Sequence, residues 1–198
     1  MNTTKGGNNQ NSNSSTGEQI KDFFINMGLL TKIIIILNIL VYIFQSFVTI
    51  NQFEYIICLK PILEGQFYRI VTATFSHADF KHIFFNMVTM MWFSPPLEKH
   101  HGLSNYLIIN LLLIIGQHFV AMTIMFWLTL VPKALYGGEE YYMHCSLGYS
   151  GVLYGYMLLW TYIGEKEMNI FGMFKLKKVY FPWIWILVNQ LIGKCNNL

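Results

Sequence analysis

From residue 103 to residue 131 the chain runs without one Asp, Glu, Lys or Arg. A run of that length is long enough to cross a bilayer with some tilt, and in lipid a single segment satisfies its own backbone only as a helix. Three more runs follow the same logic. Residues 33–50 form a strong first span, introduced by Lys32. Residues 147–163 form a fourth. Residues 179–192 form a shorter fifth, with Pro182 at its start, where a helix tolerates proline. Residues 83–93 are apolar but short. A helix from about Ala78 to the Pro95-Pro96 pair would have about 17 residues, the lower limit for a crossing. Composition agrees: 54% of the 198 residues are hydrophobic and 12% charged, against about 25% charged in soluble domains. The expected fold is all-α, a multi-pass transmembrane helical bundle of about five spans.

Residues 1–22 differ in kind. They are rich in Asn, Ser, Gly and Thr and lack periodicity, so they are expected to be a disordered tail ahead of one membrane domain at 23–198. The formal charge of +3 and the absence of a basic stripe argue against nucleic acid as a partner. Cys58, Cys145 and Cys195 fit no zinc spacing, and no metal or organic cofactor is expected. An odd cysteine count argues against a complete disulfide framework. Cys58 and Cys145 could pair if their loops share an oxidising lumen.

Loop charge predicts orientation. The N-terminal flank, with Lys5, Lys21 and Lys32 against Glu18 and Asp22, is +1, and the 164–178 loop, with Lys175, Lys177 and Lys178 near a helix start, is +2. Loops 51–69 and 94–102 are neutral and 132–146 is −1. Positive loops face the cytosol, which puts the N-terminus and the 164–178 loop on that same side of the lipid bilayer.

Polar groups at bilayer depth are costly and point to function. His82 and Asn86 are four apart on the second helix, hence on one face. Together they offer two N–H donors to one point, as a developing oxyanion requires. Ser150, in Gly148-Tyr149-Ser150-Gly151, supplies a hydroxyl nucleophile, and its glycine neighbours would let a substrate backbone approach. Each piece alone has a plainer reading. Gly151 and Gly155 have the small-xxx-small spacing of helix packing, and a His-xxx-Asn pair is more often an interhelical hydrogen bond. His118 is expected to bond a neighbour, His100-His101 to lie in a solvated turn, and His144 to take no catalytic part.

The order of the pieces resembles the rhomboid intramembrane proteases. Tyr68-Arg69, Phe75-Ser76-His77, His82-xxx-Asn86, Leu97-Glu98 with Gly102, and Gly148-Tyr149-Ser150-Gly151 follow that family's sequence of motifs over roughly residues 27–192. They look most like the branch that includes the rhomboid-related protease of the endoplasmic reticulum. The resemblance implies a serine endopeptidase cutting transmembrane protein substrates, in the endoplasmic reticulum or another endomembrane. It implies Ser150 as nucleophile and His82 and Asn86 as oxyanion donors. His77 matches a structural histidine, and Arg69 the arginine of a Trp-Arg pair in the first long loop, with Tyr68 in place of tryptophan. Tyr154 matches the ring on which the catalytic histidine packs.

That histidine belongs, in the family, to a Gly-His motif on a sixth core helix. Here no histidine follows His144. The expectation is a C-terminally incomplete domain with negligible cleavage by these residues alone, from a truncated sequence or from a pseudoprotease that binds transmembrane clients for quality control. A small transporter is the weakest reading, since no internal repeat is visible.

Overall fold

The computed structural model describes residues 16–48, 54–132, 141–142, 144–170 and 174–195. Of the expected tail, residues 1–15 lie outside this set. Residues 16–22 are helical, the first part of α1 (Thr16–Asn26), a short amphipathic helix with Glu18 in its first turn.

Helix α2 (Leu29–Phe47) is the expected first span. Its amino end is held by a carboxylate from another helix. Glu98 accepts from the Leu30 and Thr31 amides at 2.9 Å each and from the Thr31 hydroxyl at 2.6 Å. These amides have no partner within their own helix, so Glu98 acts as a cap supplied in trans. Gly28 leaves the room, since a Cβ there would overlap the Glu98 carboxylate.

Between α2 and the next long helix lie strand β1 (Ile57–Cys58) and two short helices, α3 (Leu59–Leu63) and α4 (Arg69–Phe75). Asp79 then starts α5 (Phe80–Leu130), its carboxylate accepting from the His82 amide at 2.8 Å. This is the usual role of aspartate at a helix start. The second helix was expected to end at Pro95-Pro96, but it continues through both prolines and bends at Gly102, whose φ of 75° breaks the helical path. The contacts around the prolines explain the persistence. Ser94 and Glu98 are buried against Thr31 of α2, and Ser94 also bonds the Tyr106 hydroxyl. Tertiary bonds thus hold this stretch in place across the missing backbone donors. α5 is therefore two arms, residues 80–101 and 103–130, each at about 1.5 Å per residue long enough for a bilayer core.

Strand β2 (Cys145–Ser146) pairs antiparallel with β1, and helix α6 (Ser150–Trp160) follows. Strands β3 (Glu167–Ile170) and β4 (Phe174–Lys177) form a hairpin that leads into α7 (Phe181–Cys195). Among the described residues two helices, Leu29–Phe47 and Phe80–Leu130, have the length and apolar character of membrane spans. The helices expected as the fourth and fifth spans have 11 and 15 residues.

α6 packs chiefly on α5, as does α2. Met90, Leu97, Tyr106, Tyr149, Val152 and Tyr156 are fully buried where these elements meet. The outward faces are apolar instead: Leu112, Phe119 and Trp127 are each more than 60% exposed. So large a bare apolar surface marks contact with lipid rather than water.

Candidate active site

The site is built where β1 and β2 join two loops. Arg69, 5% exposed, donates from its Nη1 to the Ile56 carbonyl at 2.8 Å and from its Nε to Gln66 Oε1 at 2.7 Å. That fixes the approach to β1. Cys58 and Cys145 form a disulfide across the β1–β2 pair, 87 residues apart in sequence. This is the pair left open by the sequence, whose odd cysteine count argues only against a complete disulfide framework. Parity says nothing about which two thiols the fold brings together; the β1–β2 pairing decides it. Beyond β2, the Gly148 amide donates to the Ala73 carbonyl at 2.8 Å. Four residues of chain ahead of Ser150 are thus tied by a covalent bond, a strand pair and a backbone hydrogen bond.

Gly148 has φ 107°, a region open to glycine and strained for other residues. A Cβ built there would lie 2.7 Å from the His82 ring and 3.5 Å from Asn86 Nδ2. The missing side chain therefore makes room for the His82–Asn86 pair, two residues ahead of Ser150. At Gly151 the space is taken by the Gln117 carboxamide, and at Gly155 by the Leu113 side chain. The expectation that Gly148 and Gly151 open the site to a substrate backbone is corrected here. Protein groups fill the places of the absent side chains, and Gly151 and Gly155 seat α6 on the second arm of α5.

Asn86, 6% exposed, donates from Nδ2 to His77 Nε2 at 2.9 Å. This requires His77 to be neutral with Nε2 as acceptor. Burial first, and then the charge of neighbouring His82, push the His77 imidazole down to about 4, which favours that neutral form. The His77 and His82 rings meet edge to face at 5.0 Å. His77, His82 and Asn86 are thus one cluster. A cavity of about 60 Å³ adjoins it, lined by Phe85, Asn86, Thr89, Ser150, Leu153, Tyr154, Met157 and Trp185. It has room for a few water molecules. Among the described residues no side-chain hydrogen bond engages the Ser150 hydroxyl.

His118 meets its expectation, bonding Thr74 Oγ1 at 2.8 Å. His144 stacks on Tyr141, ring centroids 4.7 Å apart. His100 and His101 lie in the last turn of the first arm of α5, not in a turn that follows it. The sequence reading passed over Asn110. This buried carboxamide accepts from the Tyr149 hydroxyl at 2.8 Å and also from the Tyr156 hydroxyl, so it grips α6 at two points seven residues apart. Its signal was available: an asparagine in the middle of the longest uncharged run. Gln117 was missed for the same reason. Among the described residues no cluster of three metal-ligating side chains occurs.

A family model described as Rhomboid domain matches residues 64–197. Rhomboid-like protein 15 of Arabidopsis thaliana is 27% identical over 148 residues, covering 70% of this chain and 35% of the relative. Rhomboid-related protein 4 of Rattus norvegicus is 28% identical over 116 residues, covering 57% of this chain and 35% of the relative. The chain spans about a third of the length of these curated relatives. The matched region takes in Arg69, the His77–His82–Asn86 cluster and Ser150 alike, and this chain belongs to the rhomboid family.

Proposed function

We propose that this chain carries the nucleophile and the oxyanion donors of an intramembrane serine endopeptidase, set in a bundle that crosses an endomembrane about five times. The observation that carries the reading is the seating of His82 and Asn86 against Gly148, two residues before Ser150. A substrate helix enters from the bilayer, unwinds near a helix-breaking residue and presents a carbonyl carbon to the Ser150 oxygen. The new O–C bond puts negative charge on the carbonyl oxygen. His82, Asn86 and the Ser150 amide donate to it, and one such donor is worth about 3–4 kcal/mol. His77 holds the Asn86 carboxamide, and Tyr154 forms a wall of the cavity. Loops 51–69 and 132–146 admit water from the luminal side.

The serine proton must pass to a base, and residues 145–198 contain no histidine. Losing that partner costs a serine protease on the order of 10⁶ in turnover. The 198-residue polypeptide by itself is therefore expected to leave a transmembrane substrate intact. The test is incubation of the purified polypeptide and its Ser150→Ala variant with such a substrate in proteoliposomes. Serine-dependent cleavage would contradict the expected inactivity. The Ser150 hydroxyl, which no side-chain hydrogen bond engages among the described residues, also suits a second reading, a client-binding pseudoprotease. Transmembrane clients that co-purify equally with the Ser150→Ala variant would support it.

A further inference from the structure

We propose that the cleft between the end of α6 and the β3–β4 hairpin binds the phosphate-bearing headgroup of an anionic phospholipid. The apolar helix α6 ends at Trp160, and the chain turns through Thr161, Tyr162 and Ile163 to Gly164, where φ is 68°. A cavity of about 460 Å³ opens there, lined by Thr161, Tyr162, Gly164, Lys166, Glu167, Lys177 and Val179. The Lys178 amide donates to the Lys166 carbonyl at 2.9 Å, which fixes the two sides of the cleft relative to one another.

The four lysines of this region fall into two groups. Lys178 is engaged: its Nζ donates to the Ile163 carbonyl at 3.0 Å and sits 4.1 Å from the centre of the Trp160 ring. Lys166, Lys175 and Lys177 are exposed, and among the described residues none of them makes an ion pair within 4 Å. Glu167 faces Lys177 across the hairpin register and Glu165 lies nearby, yet the 164–178 segment keeps an excess of two positive charges. Positive charge, the Tyr162 hydroxyl and a fixed gap suit a phosphodiester; the Thr161 hydroxyl is spent on the Leu158 carbonyl at 2.7 Å. The apolar rim selects lipid over free phosphate. Tyr162 is 85% exposed and Val179 50%, beside the end of α6; on the proposed membrane orientation they lie at the bilayer surface, along acyl chains.

The experiment places the full chain in nanodiscs of phosphatidylcholine with a titrated fraction of phosphatidylserine and counts retained lipids by native mass spectrometry. One phosphatidylserine is expected to be retained selectively. Retention should weaken about fivefold for each lysine removed in Lys166→Gln and Lys177→Gln, and Lys166→Arg/Lys177→Arg should keep it. Lys81→Gln/Lys99→Gln, at exposed positions away from the cleft, should change nothing. Equal retention by the Lys166→Gln/Lys177→Gln variant would overturn the proposal. So would displacement of the lipid by millimolar inorganic phosphate, which would mark a site for the free anion.

Discussion

The two ends of α6 are built to different tolerances. At the Ser150 end a disulfide, a strand pair, the Gly148–Ala73 hydrogen bond and a left-handed glycine fix the chain against His82 and Asn86. At the other end a short hairpin carries lysines, of which only Lys178 is pinned. Reacting groups lose effect with displacements near half an ångström, whereas a segment at a membrane surface needs only charge and amphipathic character. The difference also orders the molecule across the bilayer. On the proposed orientation the Ser150 end faces the lumen, where a disulfide persists, and the hairpin faces the cytosol, where lysine-rich loops stay.

The largest expected effect comes from cutting the covalent tie at the tight end. Closing a loop of 87 residues is worth about 4.6 kcal/mol in the chain-entropy model. Thermal unfolding in detergent with and without dithiothreitol, and of Cys58→Ser, should show a drop of that order. An unchanged transition would mean the bridge does not hold the Ser150 end. Next is Gly148→Ala, which combines a strained φ with a contact on the His82 ring; a loss of about 2–3 kcal/mol is expected. Asn110→Leu would leave two buried tyrosine hydroxyls without their acceptor, at about 2 kcal/mol. If Asn110→Leu were silent, the grip on α6 would have to come from packing alone.

Acid should act on the tight end. The His77 pKa is lowered to about 4 in the fold, against about 6.5 in the unfolded chain. Between those values the unfolded state binds more protons, so stability is intact above about pH 6.5 and declines as the pH falls toward 4. The melting temperature should follow that curve, and His77→Gln should flatten it. At the loose end, Lys166→Gln/Lys177→Gln should shift the melting temperature least, within about 0.5 kcal/mol, because both side chains are exposed and unpaired.

The contrast also marks how far the sequence could be read. The uncharged runs announced α2 and both arms of α5, because hydropathy is a property of composition along one segment. His82 and Asn86 were legible as a pair because helical spacing is local. What was not legible depends on contacts between distant segments. Pro95 and Pro96 read as a stop, since a sequence window does not contain the Thr31 and Glu98 contacts that hold the helix together. Cys58 and Cys145 became partners only through the β1–β2 pairing. Gly148 and Gly151 read as openings, because nothing local says that His82 and Gln117 occupy those spaces. Asn110 looked like one polar residue in an apolar run until two tyrosines of α6 met it.

The account rests on the Ser150 hydroxyl and the Asn86 carboxamide sharing one cavity. The direct measurement is cross-linking of an Asn86→Cys/Ser150→Cys variant, with Cys195→Ser, in native membranes using a short thiol-bridging reagent. Rapid intramolecular cross-linking is predicted, with none in the Phe84→Cys/Ser150→Cys control, whose first position is half exposed on the outer face of the same helix. Cross-linking that is absent, or equal in the two pairs, would contradict it.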